Sequence, residues 1–209
     1  MFWNTVSPLL KSILSDLMNE EIFSHFRLVG GTALSLQFGH RLSVDIDLFT
    51  DDEYGSIDFK KIRDFLENKY PYCNYRDVDL ISFGTYFEVG LSKDDFVKID
   101  VYYTDNFVFN ELIIDNVRMA TSEEIIAMKL DVINNKGRKK DFWDIHYFLE
   151  NYELSQFIEL FEKRYPYGNS KTLKNQLLDF ELADTDFNPI CLLNKEWELI
   201  KYDFVEKFT

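Results

Sequence analysis

Cysteine is scarce: Cys73 and Cys191 are the two in 209 residues. They are too few and too far apart for a zinc cluster, and they point to a reducing, intracellular setting. His25, His40 and His146 show no zinc-ligand spacing either. Positive charge is also short. Lys plus Arg total 23 against 37 Asp plus Glu, a formal net charge of -14. That excludes a protein that coats nucleic acid with a broad basic face, and so general DNA binding. A focused basic groove, or a polyanion bridged by a divalent cation, remains compatible with it. No apolar run approaches 18 residues, so no membrane span is expected. Met1-Phe2-Trp3-Asn4 does not open a basic region followed by an apolar one. These absences predict a soluble cytoplasmic protein with no membrane partner. Internal repeats, low-complexity tracts and a Gly/Pro/Ser-rich hinge near 105–120 are missing too.

The chain does have the means to build a core. Hydrophobic residues make up 46% and aromatics 17%, enough for an ordered, aromatic-rich interior. Helical spacing of Leu9, Leu10, Ile13, Leu14, Leu17 and Met18 predicts a helix within Val6 to Phe23, with Pro8 in its first turn. Phe26 to Val29 reads as a strand, broken by Gly30-Gly31. A helix then resumes over Thr32 to Phe38, with Thr32 available near its N-terminus. Val44 to Phe49 reads as a second strand and Ile57 to Tyr70 as an amphipathic helix. Val78 to Phe83, Thr85 to Leu91 and Phe96 to Tyr103 are expected strands of a mixed sheet. Helices follow over Ser122 to Asn134, Lys140 to Leu149 and Leu154 to Arg164, with shorter pieces over Ser170 to Leu182 and Lys195 to Glu206. The expected fold class is α/β (α+β): a mixed-sheet core over 1–118 and a mainly helical region over 119–209 packed on it.

Asp45 and Asp47 are the sharpest chemical signal. Residues i and i+2 of a strand share a face, so both carboxylates stand together while Val44, Ile46 and Leu48 turn to the other side. Two like charges this close call for a cation or a proton, and an all-oxygen set suits Mg2+ or Mn2+. Upstream, Leu28-Val29-Gly30-Gly31-Thr32 is a strand running through a Gly-Gly turn into a helix. Such a turn admits close approach of a phosphate, and a helix N-terminus offers it free N–H groups. It is neither a P-loop nor a dinucleotide fingerprint. Asp100 is a third strand carboxylate, which converges on the pair if its strand lies beside theirs; the three then suit a two-metal centre for phosphoryl transfer, with Asp100 a third metal ligand helping to activate the attacking hydroxyl. Lys129 emerges near an apolar stripe of Ile125, Ile126, Val132 and Ile133 and either holds a phosphate or snorkels at the rim. Arg138, Lys139 and Lys140 make a local basic cluster before Asp141 and Asp144. Asp141 suits a helix first turn or an ion pair orienting Lys129. His40 and Arg41 precede the Asp45 strand and could contact a triphosphate or base.

Leu28 to Thr50, LVGGTALSLQFGHRLSVDIDLFT, resembles the AbiEii/AbiGii group of nucleotidyltransferase-like toxins, with the GG[ST]…DxD arrangement of the wider nucleotidyltransferase superfamily. The resemblance implies that Gly30, Gly31 and Thr32 form the nucleotide-holding turn, that Asp45 and Asp47 bind metal, and that His40, Arg41 and Ser43 form the approach to them. Lys98-Ile99-Asp100-Val101 matches the segment with the third acidic position. Ser122 to Leu130 matches a Glu-rich helix carrying Lys129, and Arg138 to Ile145 matches an R-x-K-D-x-x-D-[LI] segment with Lys140 and Asp141 as its KD pair. It thus implies a nucleotidyltransferase-like core in which Asp45, Asp47, Asp100, Lys129 and Asp141 are catalytic, and Arg138 and Lys140 bind substrate. The cofactor would be Mg2+ or Mn2+ and the substrate an NTP. The acceptor would be a hydroxyl, with tRNA a candidate, and a cognate antitoxin would be the protein partner. Two other readings compete: a non-catalytic nucleotide-sensing or protein-binding relative, and an aminoglycoside-type nucleotidyltransferase suited by acidity to a cationic substrate. The last 50 or so residues carry no landmark of the family.

Overall fold

The computed structural model describes residues 1–76 and 82–209. Among them the helices and strands alternate through the first half and give way to helices in the second. Helix α1 spans Pro8–Asn19. Ser7 caps it, its hydroxyl accepting from Leu10 N–H, and Pro8 sits in the first turn, where a missing N–H leaves no hydrogen bond unmade. The helix expected to Phe23 ends at Asn19, and a separate 3-10 turn covers Glu21–Phe23. Strand β1 (Arg27–Val29) feeds directly into α2 (Gly30–Phe38), which closes on Gly39 in the left-handed conformation. Then come β2 (Asp45–Thr50), α3 (Phe59–Lys69), β3 (Tyr72–Tyr75), β4 (Gly84–Ser92) and β5 (Asp95–Tyr103). The strand expected over 78–83 falls mostly outside the described residues.

A short hairpin follows, β6 (Leu112–Ile114) and β7 (Val117–Met119), which the sequence reading missed. Its two turn residues, Asp115 and Asn116, have φ of 50° and 63°. Two positive-φ positions make the tight turn whose twist matches an antiparallel pair, and Asp and Asn tolerate them well. The remaining helices are α4 (Ser122–Asn134), α5 (Lys139–His146), α6 (Leu154–Arg164), α7 (Leu173–Gln176) and α8 (Trp197–Phe208).

The strands form one mixed sheet in the order β3-β4-β5-β2-β1-β7-β6. The pairing of β2 with β5 is parallel, and Asp47 stands directly opposite Asp100. Ile46, Leu48, Ile99 and Val101 are fully buried on one face of these strands, where α1 packs across β2, β5 and β7. The alternate residues Asp45, Asp47, Lys98 and Asp100 keep partial exposure on the opposite face. Val44 departs from the expected pattern: it precedes the strand and is 72% exposed. Helix α2 links the two halves, packing on β1 and β2 and on α4 and α5, while α6, α7 and α8 build the helical side through α4 and α5. An aromatic cluster of Phe142, Phe180, Trp197 and Phe204 seals α5 to α8.

Candidate active site

The site grows from the β1–α2 junction. Gly30 has φ of 68°, and a Cβ there would overlap the Asp47 carboxylate; a Cβ on Gly31 would overlap the Arg41 guanidinium. Glycine is therefore required at both places, by backbone conformation at the first and by close approach at the first and second. Within the chain the two glycines make room for Asp47 and Arg41. Thr32 lies inside the first turn of α2 rather than capping it, the N-cap position being Val29. Its hydroxyl donates to the Asp45 carbonyl, which leaves its oxygen to accept from Ser43 Oγ at 2.7 Å. Thr32 and Ser43 thereby tie α2 to the start of β2, next to Asp45.

Behind this junction lies a buried charge network centred on Asp144, a residue of the matched sequence segments that was not singled out as a site residue. Arg41 grips it in a fork, Nε to Oδ1 at 2.6 Å and Nη2 to Oδ2 at 2.9 Å. His40 Nε2 lies 2.8 Å from Oδ1, and Lys129 Nζ lies 3.0 Å from Oδ2. Lys129 also donates to Asp141 Oδ1 at 2.6 Å, and the other Asp141 oxygen accepts the Arg138 backbone N–H at 3.0 Å. Burial alone would push the Asp144 carboxyl up, but the Arg41 and Lys129 charges and the hydrogen bonds from His40 and Arg41 hold it well below the usual carboxylate range. Burial likewise tends to discharge Lys129, and Asp141 and Asp144 overcome it and raise its pKa. Lys129 is thus buried and ion-paired, not snorkelling at a rim. Val132, placed on the same apolar stripe by sequence, is 41% exposed. His40 and Arg41 are buried against Asp144.

The three strand carboxylates stand on the open face beside this network. Lys140 Nζ is 3.8 Å from Asp45 Oδ2. Asp100 is gripped by its own strand neighbour, with Lys98 Nζ 2.8 Å and 2.5 Å from its two oxygens. Asp47 receives no hydrogen bond and no ion pair within 4.0 Å among the described residues. Burial, with Asp100 and Asp45 adding repulsion against the pull of Lys129 and Lys140, pushes its pKa up to about 6. Here the donor chemistry fits a hard divalent cation: two carboxylates on one face of one strand, one of them without an ion-pair partner among the described residues. A finished cage is another matter. Among the described residues no three or more His, Cys, Asp or Glu side chains are placed to hold a metal ion. Asp45 and Asp47 fit as protein ligands, with water and substrate oxygens completing the shell; Asp100 joins them only when Lys98 yields.

A cavity of about 380 Å³ opens at Asp45 and is lined also by Ser43, Arg138 and Lys140. A larger cavity, about 730 Å³, includes His40 and none of Asp45, Asp47, Asp100, Lys129 or Asp141. Of those five the smaller cavity touches Asp45, and it brings Asp45 together with Arg138 and Lys140. No described helix is long and apolar enough to cross a membrane.

Comparison with known proteins adds an independent line. The family model of the nucleotidyl transferase AbiEii toxin, type IV toxin–antitoxin system, matches residues 12–207. An uncharacterized protein of Aquifex aeolicus is 26% identical over 178 residues, covering 83% of this chain and 82% of that one. Among solved structures, the nucleotidyltransferase toxin MenT4 of Mycobacterium tuberculosis superposes with a TM-score of 0.61 at 12% identity, covering 96% of this chain and 82% of that one. JHP933 of Helicobacter pylori gives a TM-score of 0.58 at 18% identity, with 92% and 86% covered. Both likenesses are likenesses of fold.

Proposed function

The chain belongs to the AbiEii nucleotidyl transferase toxin family, and from that premise we propose that it is a Mg2+- or Mn2+-dependent enzyme moving an NMP from an NTP to an acceptor hydroxyl. The observation that carries this reading is the placement of Asp45 and Asp47 on one strand face, with Asp100 opposite Asp47 on the neighbouring parallel strand. Asp45 and Asp47 would hold the divalent cation, which would supply neutralisation of phosphate charge and Lewis-acid polarisation of the phosphorus. Arg138 and Lys140 hold phosphate oxygens at the mouth of the cleft. Asp100 accepts the proton of the attacking hydroxyl as its oxygen bonds to the α-phosphorus. The α–β bridging oxygen then keeps the electron pair and leaves as pyrophosphate. Lys129 and Asp141 position this face through Asp144, with Gly30, Gly31, Thr32, His40, Arg41 and Ser43 shaping the turn on which the nucleotide rests.

In this proposal residues 1–118 are the catalytic core, and 119–209 are a helical region that lends it Lys129, Arg138, Lys140 and Asp141. The protein works in the cytoplasm as the toxin of a toxin–antitoxin pair, with tRNA the leading acceptor and a cognate antitoxin its partner. The test is transfer of label from isotopically labelled NTPs to total RNA or to lysate protein. Asp45→Ala should lower transfer by on the order of 10²–10³-fold. Transfer that Asp45→Ala leaves unchanged overturns the mechanism.

A further inference from the structure

Part of the lining of the Asp45 cleft comes from the C-terminal region: residues 186–190 line it together with Asp45, Arg138 and Lys140. This strap is pinned on both sides of Phe187. Before it, Lys139 N–H donates to Asp186 Oδ2 at 3.0 Å, and Lys139 Nζ donates to the Asp186 carbonyl at 2.6 Å. After it, Lys139 Nζ also donates to Asn188 Oδ1 at 3.1 Å. Further on, Leu42 N–H donates to the Ile190 carbonyl and Leu192 N–H to the His40 carbonyl, both at 2.9 Å, around an antiparallel bridge between Arg41 and Cys191. The strap is thus sewn to residues 40–42, the segment that carries the buried ion pair with Asp144.

On this anchored backbone Phe187 is 99% exposed. A large apolar ring held in water forgoes the burial that usually justifies it. It does so where two partly exposed cations, Arg138 and Lys140, share its cleft with a carboxylate proposed to act in phosphoryl transfer. A flat apolar face beside phosphate-binding cations is the chemistry that receives one nucleotide unit: base on the ring, phosphate on the cations. Building on the transferase reading of Asp45, we infer that Phe187 is the stacking platform for a nucleobase entering this cleft. The base comes either with the NTP or with the single-stranded end of an RNA acceptor.

Fluorescence anisotropy on the full chain tests this with three probes: a short single-stranded oligoribonucleotide, an abasic strand of the same length, and a fluorescent ribonucleoside triphosphate. Wild type should bind at least one base-bearing probe more tightly than the abasic strand. Phe187→Ala should weaken that binding about tenfold, and Phe187→Trp should keep it, with unchanged thermal melts. Loss confined to the triphosphate assigns the platform to the NTP, and loss confined to the strand assigns it to the acceptor. Equal binding by wild type and Phe187→Ala to both base-bearing probes, or no preference of wild type over the abasic strand, overturns the platform. The labelled-NTP assay separates the two readings. Transfer with both KM values unmoved by Phe187→Ala overturns the platform and leaves the transferase. Base-dependent binding that needs Phe187, in a protein that transfers no label, overturns the transferase and leaves the platform.

Discussion

Helix α4 plants a charge in each of two buried networks, and the two are built to different ends. Near its start, Glu124 meets Arg164 of α6 at 2.9 Å, both side chains fully buried. The contact atoms, Oε1 and Nε, lack hydrogen-bond geometry, so attraction between charges holds them. The pair's hydrogen bonds go mostly to backbone. Glu124 Oε2 accepts from Val108 N–H at 3.0 Å and Phe109 N–H at 2.8 Å, and Arg164 donates to the carbonyls of Asp105 and Asn106 and to Thr104 Oγ1. This clamp fixes the irregular stretch between β5 and β6 and has no charge left over. Mid-helix, Lys129 enters the Asp144 network, where Arg41 and Lys129 balance Asp141 and Asp144. That balance ends at the open face, where Asp47 has no ion-pair partner among the described residues and burial, against the pull of Lys129, raises its pKa. Burial of ionic groups is common to both, so burial by itself does not mark a functional site. What sets the second apart is a carboxylate at its edge with no ion-pair partner among the described residues and a raised pKa.

The comparison breaks most visibly by removing one clamp partner. Arg164→Met strands Glu124 in the interior and should lower unfolding free energy by about 3–5 kcal/mol, read by urea denaturation. A loss below about 1 kcal/mol would mean that the clamp is not structural. Asp47→Asn should act in the opposite direction. With divalent cations chelated, it should stabilise the fold at pH 7 by on the order of 1–3 kcal/mol while abolishing transfer. The sign follows from linkage. A carboxyl whose folded pKa is raised contributes its stability below the unfolded value and loses it as pH rises through the folded value, about 6. The variant's advantage should therefore be absent at pH 4 and complete by pH 7. An advantage independent of pH would assign the effect to something other than Asp47 ionisation. Smallest is Lys98→Met. The Lys98–Asp100 pair is partly exposed, so its loss should change stability by no more than about 1 kcal/mol. Freeing Asp100 should tighten Mg2+ binding, measured by calorimetry. Weaker binding would show that Lys98 helps the site rather than competing in it.

Much of this was legible in the linear chain. The alternation around Asp45 and Asp47 announces a strand with both carboxylates on one side, and the observed β2 agrees, with Ile46 and Leu48 buried behind them. The 154–164 helix and its basic last turn were equally plain. The β6–β7 hairpin was missed because its strands have three residues each, too short for alternation to register, and its turn residues are Asp-Asn rather than a glycine pair. The helix was expected to resume only at Thr32 because Gly-Gly looks like a helix breaker. In the fold the helix starts at Gly30, where the Asp47 carboxylate stands in the space a side chain would take.

Asp144 and Phe187 show where local reading ends. The faces of strands and helices follow from periods of two and 3.6 residues, which the backbone imposes over a few positions. Sequence by itself therefore determined the elements, the paired carboxylates and the likeness to a family. Which groups meet across a hundred residues follows from packing. Only the tertiary structure set Asp100 opposite Asp47, drew Arg41 and His40 onto Asp144, and sewed the 186–192 strap to residues 40–42. The physical reason is that a buried charge is tolerated only where a partner reaches it, and the partner is supplied by whichever distant element the core brings alongside.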